Sequence, residues 1–154
     1  MKTNQPTILL APFDLSSKDE AQMVVDIVHK YYPGSAYPPT VEKIMKGDVL
    51  YYKAFFEKKL VGMSGFFFKT PTLAETVKTI VFHEFRGLKL GEAISWAIED
   101  ECRLKGVKKV TSTIYSTNTA MIAIKLKQGY TIEGYHPDHE APGFHEYSLG
   151  KILR

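Results

Sequence analysis

One cysteine, Cys102, stands in a chain of 154 residues, and a single thiol excludes an internal disulfide framework. It falls in a segment of helical spacing with no charged signature of a nucleophile beside it, which assigns it to packing. Long apolar runs are missing too. The apolar start Ile8-Leu9-Leu10-Ala11 is far too short for a signal-peptide core or a membrane span, so the expectation is a cytoplasmic protein with no membrane contact. Charge of one sign is scarce: the formal net charge is +3, and no basic aromatic surface marks a nucleic-acid-binding module. Lys58-Lys59 and Lys108-Lys109, the densest basic runs, read as solvated turn or strand-edge lysines. His136-Pro-Asp138-His139-Glu140 is rich in ligand types but lacks a second cluster, so no metal is expected. There is no linker, repeat or low-complexity tract. Hydrophobic residues at 44% suit one domain over residues 1–154 with a core of its own.

What is present reads as alternating strands and helices. A strand at 7–13 is followed by Ser17-Lys-Asp-Glu20, a capping box, and by a helix carrying Ala21, Val24, Val25 and Val28 that stops at Pro33-Gly34. An irregular loop over 33–39 precedes a short helix from Thr40 to Gly47 that buries Val41, Ile44 and Met45. Strands at 49–56 and 60–68 form a hairpin across Glu57-Lys58-Lys59, and Pro71 separates them from a strand at 75–83. A long helix over 87–105 carries Leu90, Ala93, Ile94, Ala97, Ile98 and Leu104 on one stripe, with Gly106 as its stop. A strand at 108–115, a helix at 118–128 and strands near 130–135 and 144–150 complete an α+β chain around one mixed, mostly antiparallel sheet with flanking helices.

Val81-Phe-His-Glu-Phe-Arg86-Gly87-Leu-Lys-Leu-Gly91-Glu92-Ala93 carries the strongest functional signal. A strand runs into a glycine-containing turn and a helix, and such a junction aims free N–H groups and the helix dipole at one spot, a site for an anion such as phosphate. A dinucleotide fingerprint would need a third glycine after Gly87 and Gly91, and a P-loop would need Gly-Lys-Ser or Gly-Lys-Thr. Neither is there. Downstream, Asn118-Thr-Ala-Met121-Ile-Ala-Ile-Lys125-Leu-Lys-Gln-Gly129-Tyr130 is a helix stopped by glycine before another strand.

The two segments together resemble the acetyl-coenzyme A site of the GCN5-related N-acetyltransferase (GNAT) superfamily. Arg86 and Gly91 match the first and last positions of its Arg/Gln-x-x-Gly-x-Gly/Ala turn, and Val81 and Phe85 match its flanks. Lys89 replaces the middle glycine; it keeps the N–H donor and adds a charge, provided its backbone is helical rather than left-handed. The resemblance implies a GNAT-like fold and acetyl-CoA as cosubstrate. It implies a pyrophosphate on the amides of Gly87, Leu88, Lys89, Leu90, Gly91 and Glu92, and a pantetheine arm against the backbone of Val81 and His83. It further implies an oxyanion site at the N–H groups near Phe82 and His83, and Asn118 as both helix cap and cofactor contact.

The implied reaction is direct transfer of an acetyl group to a primary amine of a small-molecule or peptide acceptor, without an acyl-enzyme. Lys125 occupies the position where many members place a tyrosine that protonates the departing thiolate. As a residue it reads equally as that acid and as an exposed helix lysine, with Tyr115 and Tyr130 as substitutes. Glu75 lies six residues before Val81, on the same strand face if no bulge intervenes, and is the candidate base beside His83 and Glu84. Tyr31, Tyr32 and Tyr37 are candidates for the acceptor wall, joined by the side chains of the 136–140 loop. Because Lys89 and Lys125 both alter motif positions, a non-catalytic acyl-CoA-binding or sensing protein is the rival reading. A homodimer is compatible with the sequence.

Overall fold

Consecutive residues of a strand face opposite sides of a sheet, and here both sides are apolar, so helices must cover both. The computed structural model describes residues 4–35 and 37–154; Ala36, inside the loop expected at 33–39, lies outside them. The strands are β1 (Leu9–Pro12), β2 (Leu50–Phe56), β3 (Lys59–Thr70), β4 (Leu73–Val81), β5 (Lys109–Tyr115), β6 (Thr131–His136) and β7 (Glu146–Ile152). The helices are α1 (Lys18–Tyr31), α2 (Val41–Met45), α3 (Leu90–Leu104) and α4 (Thr119–Lys127). The seven strands form one sheet in the order β1-β2-β3-β4-β5-β7-β6. Every neighbouring pair is antiparallel except β4 and β5, which run parallel. Tyr51, Met63 and Ile80 pack with Val24, Val28 and Ile44 of α1 and α2, whereas Tyr52, Phe66 and Val110 pack with Ile98 and Cys102 of α3 on the opposite face. The mixed, mostly antiparallel sheet expected from the pattern is the one observed.

Several boundaries move for identifiable reasons. Pro71 does separate β3 from β4, but in a tight turn, with Thr70 Oγ1 accepting from the N–H groups of Thr72 and Leu73, so both strands run up to it and form a hairpin. The capping box is half formed. Ser17 Oγ accepts from the Glu20 N–H at 3.3 Å, but the Glu20 carboxylate turns to the Asp14 N–H and the Lys53 ammonium. On α3 the stripe ends on Cys102, four residues after Ile98, while Leu104 in the last turn stands 82% exposed. Burial pushes the Cys102 thiol up to about 12, so it is an apolar packing group at neutral pH. Among the described residues no helix is long and apolar enough to cross a membrane.

Two features of β4 shape everything downstream. The register slips between Met63↔Ile80 and Gly65↔Val77, so β4 holds one residue more than β3, and Lys78 in this bulge has φ +53°. Gly62 permits the close approach beside it, since a Cβ there would lie 2.0 Å from the Ile80 carbonyl oxygen. The second feature is a splay. β4 pairs with β5 only from Leu73–Thr76 to Lys109–Ser112, although β5 continues to Tyr115 against β7. Past Thr76 the two strands separate, and the gap between them opens to both faces of the sheet.

Candidate active site

Two cavities meet in this gap. The larger, about 600 Å³, lies between the end of β4, the N-terminus of α3 and α4. The smaller, about 270 Å³, lies between β4, β5, the β6–β7 loop and the first residue of β7. Tyr32, Thr79, Asn118 and Met121 line both and mark their junction.

The larger cavity is built around the turn. After β4 the chain makes a single 3₁₀ turn, His83–Phe85, and enters α3 at Leu90, later than the expected start at 87. Gly87 at φ +87° and Lys89 at φ +58°, ψ +26° are both left-handed. Lys89 therefore takes the conformation a glycine would take, not the helical one expected. Reversing the chain within so few residues requires it, at a cost of about 1–2 kcal/mol for a residue with a Cβ. The first intrahelical bond closes from the Ala93 N–H to the Lys89 carbonyl, and no side chain caps the helix, which leaves its leading N–H groups facing the cavity. The Glu92 carboxylate is drawn aside by Lys127 at 3.2 Å and by the Gln5 amide at 3.1 Å. Gly91 has an ordinary backbone; a Cβ there would sit 3.6 Å from both Ile124 and Val81. Its value is the open space in front of it.

Val81, Arg86, Gly87, Lys89 and Leu90 line this cavity, as do Gly91, Glu92 and Asn118. Asn118 Oδ1 caps α4 by accepting from the Met121 N–H at 3.2 Å. Leu88 points to solvent. Phe82 and His83 line neither cavity, and their N–H groups are engaged: Phe82 donates to the Val61 carbonyl at 2.9 Å and His83 to Tyr31 Oη at 3.1 Å. The N–H groups of the expected oxyanion site, and the His83 N–H of the expected pantetheine contact, are thus engaged within the protein, whereas the edge of β4 beyond Thr76 is no longer paired with β5. Tyr31 belongs to the larger cavity, stacked on Phe82 with the Arg86 guanidinium 5.9 Å from its ring, and Tyr32 is the tyrosine at the junction. Tyr37 is 69% exposed and lines neither cavity.

The smaller cavity has two chemically different sides because it passes through the sheet. On the α3/α4 side is Lys125, only 1% exposed. Its Nζ donates to Ser95 Oγ at 2.8 Å and Thr76 Oγ1 at 3.4 Å and lies 4.7 Å from the Tyr130 ring centroid. Ser95 in turn donates to Gln128 Oε1 at 2.6 Å. Lys125 is thus no exposed helix lysine. Burial lowers its pKa from 10.5 to about 8, with Glu99 opposing the shift. Tyr130 lies beneath it in the core, its phenol pushed up by burial and its Oη without a hydrogen bond.

On the opposite face stand carboxylates. The bulge at Lys78 inverts the alternation, so Glu75 shares a face with Thr113 rather than with Val81: Val81 packs toward Leu90 and Ile94, and Glu75 does not. Glu75 is held by Lys69 at 2.8 Å and accepts from Thr111 Oγ1 at 3.1 Å and Thr113 Oγ1 at 3.3 Å. Beyond it are Glu140 and Glu146. Tyr115 Oη donates to Glu140 Oε2 at 2.7 Å. Glu146 is 2% exposed, and its Oε2 has no hydrogen-bond partner. Burial first, then the neighbouring Glu140, raises its pKa from 4.5 to about 7. Lys78 faces the pair with its Nζ 4.9 Å from the Tyr32 ring centroid, its own pKa lowered by burial. Neither Glu146 nor Lys78 stands out in the sequence: one opens a strand and the other is a lysine in a bulge. His83 and Glu84 are exposed outside this cavity. Among the described residues no group of His, Cys, Asp and Glu is placed to hold a metal ion.

Known proteins share this architecture. Ard1 from Thermoplasma volcanium superposes with a TM-score of 0.77 at 18% identity, covering 96% of this chain and 99% of its own. A GNAT family acetyltransferase from Elizabethkingia anophelis with acetyl-CoA bound gives 0.75 at 14% identity, covering 96% and 99%. Ribosomal-protein-alanine N-acetyltransferase from Brucella melitensis gives 0.73 at 16%, covering 94% and 99%. At these identities the likeness is one of fold. No curated protein matches the sequence. The family model described as Acetyltransferase (GNAT) family matches residues 21–130, well over half of the chain, which therefore belongs to that family.

Proposed function

We propose that the protein transfers an acetyl group from acetyl-CoA directly to a primary amine held in the smaller cavity. The observation that carries this reading is the splay after Thr76, which joins a cleft ending on an uncapped helix N-terminus to a cavity with an ammonium on one face and carboxylates on the other. The donor's pyrophosphate takes the α3 N-terminus beside Lys89 and Arg86, and its thioester reaches the junction at Thr79, Asn118 and Met121. The acceptor enters from the carboxylate side as an ammonium and gives a proton to Glu146, whose pKa near 7 suits a base at neutral pH. The freed amine attacks the carbonyl carbon, and the edge of β4 that β5 leaves after Thr76 steadies the oxyanion. As the carbon–sulfur bond breaks, Lys125 gives a proton to the thiolate. Glu146 releases that first proton to solvent, and the acylated nitrogen then sheds its second proton, which replaces by way of solvent the one Lys125 gave to the thiolate. Glu75, tied to Lys69 and two threonines, shapes the acidic wall.

Incubation with acetyl-CoA and a panel of primary amines should release free thiol in proportion to acetylated amine. Acetyl-CoA binding without thiol release from any amine would favour the non-catalytic reading. The turn has a test of its own. Gly91→Ala should fold and bind coenzyme A, because its Cβ meets Ile124 and Val81 at ordinary contact distance. Gly91→Leu would fill the cleft, and calorimetry should register at least a hundredfold weaker binding with the melting temperature little changed. Unchanged affinity would move the cofactor elsewhere.

A further inference from the structure

The smaller cavity holds more negative charge than a single ammonium uses. Glu75 is neutralised by Lys69 at 2.8 Å, which leaves Glu140 and Glu146 as neighbouring carboxylates on the wall of one cavity. Two like charges so placed repel each other, and the proximity of Glu140 adds to burial in making Glu146 easier to protonate, so the wall favours a cationic guest. The groups facing Glu146 are Glu140 from the β6–β7 loop, Glu75 and Lys78 from β4, and, through Glu140, the Tyr115 hydroxyl from β5. Lys78 is the cation among them, and its ammonium sits by the Tyr32 ring, with burial lowering its pKa. Glu146 Oε2 is buried, unpartnered and part of the cavity wall. Val77, Ile114 and Met121 supply apolar wall to the same space.

We infer that the acceptor is a compact aliphatic dication, a molecule with two amino groups joined by a short hydrocarbon linker. This rests on the acetyl-transfer reading above and names its substrate class. One amine gives its proton to Glu146 and is acetylated; the other stays an ammonium on Glu140, whose second oxygen holds the Tyr115 hydroxyl. The charges close. A dication meets two carboxylates, and after proton transfer a neutral Glu146 faces the reacting amine while an ammonium still faces the Glu140 carboxylate. A monoamine would leave the half-buried Glu140 carboxylate with the Tyr115 hydroxyl and the neighbouring Lys78 only. An amino acid would bring its own carboxylate into this wall.

The experiment compares 1,4-diaminobutane, n-butylamine and β-alanine, first as ligands of the coenzyme A complex by calorimetry and then as acceptors by thiol release. The diamine should bind about 10–100-fold more tightly than the monoamine, the value of one charge-assisted contact to a half-buried carboxylate. Glu140→Gln should bring the ratio of diamine to monoamine affinity close to one, whatever change it causes in both through Glu146; a ratio that stays at the parent's value overturns the inference. Equal binding of diamine and monoamine, or tighter binding of β-alanine, overturns the inference. Preferential diamine binding without thiol release supports the dication seat and sinks the transferase reading; turnover of all three with equal kcat/KM does the reverse. If Glu140→Gln fails to fold, Tyr115→Phe, which frees the same carboxylate oxygen for the ammonium, should raise the ratio of diamine to monoamine affinity, and an unchanged ratio overturns the inference.

Discussion

Glu146→Gln is expected to lower kcat about 10²–10⁴-fold, the usual contribution of a general base, and at the same time to make the protein more stable above pH 7. The two effects have one cause. The carboxyl is buried beside Glu140 and its pKa is raised from 4.5 to about 7. A raised pKa means that the folded state holds a proton the unfolded chain has lost between those two values. Stability therefore falls as pH climbs through that window, and the deficit persists above it. Glutamine keeps the shape and does not titrate. The melting temperature of the variant minus that of the parent should rise from pH 5 to pH 8 and then level off. The kcat profile should lose its acid limb near pH 7 together with most of its height. A merely structural glutamate would show the stability change without the loss of turnover. If kcat survives, the base is Glu75 or water, and Glu75→Gln decides between them.

The strand-to-helix turn before α3 was legible in the sequence because it is local. Arg86 to Gly91 and the helix behind them are one continuous stretch, and a helix N-terminus presents its N–H groups whatever surrounds it. Order and type of the elements were legible for the same reason, since periodicity and turn residues act over a few positions. What was lost depends on residues far apart. The acidic wall joins Glu75, Glu140 and Glu146 across two strands and a loop, and nothing near Glu146 distinguishes it from a solvated strand-start residue.

The bulge was lost for a different reason. A left-handed lysine carries no sequence mark, and Lys78 and Lys89 both occupy a conformation that glycine or asparagine would have announced. Placing Glu75 by strand alternation fails at that point, because one inserted residue exchanges the faces of everything after it. Helix α4 misleads in its own way. It turns Lys125 into the protein and Leu126 out to solvent, against the preference of both residues, because Thr76, Ser95 and the Tyr130 ring make a polar nest beneath it.

That inversion sets up the second large effect. Lys125→Met is expected to lower kcat about 10²–10⁴-fold with little change in acetyl-CoA affinity, because the thiolate it protonates exists only as the carbon–sulfur bond breaks. Methionine fills much of the lysine volume without bringing a charge into the core. Lysine is favoured there by its hydrogen bonds to Ser95 and Thr76 and opposed by desolvation, and desolvation wins, which is why its pKa falls from 10.5 to about 8. A lowered lysine pKa means that the unfolded chain binds the extra proton between those values, so stability rises with pH across that window. Below it the folded state carries a penalty of about 3 kcal/mol, which methionine removes. The variant should therefore be at least as stable as the parent at pH 7, with its advantage shrinking between pH 8 and pH 10. Its kcat profile should lose the alkaline limb near pH 8 while keeping the acid limb set by Glu146. A lysine that only held α4 in place would show the opposite pair: lower stability at pH 7 and an alkaline limb unchanged in position. If kcat and its pH profile both match the parent, the thiolate takes its proton from water, and Lys125 serves only to fill and order the floor of the cavity.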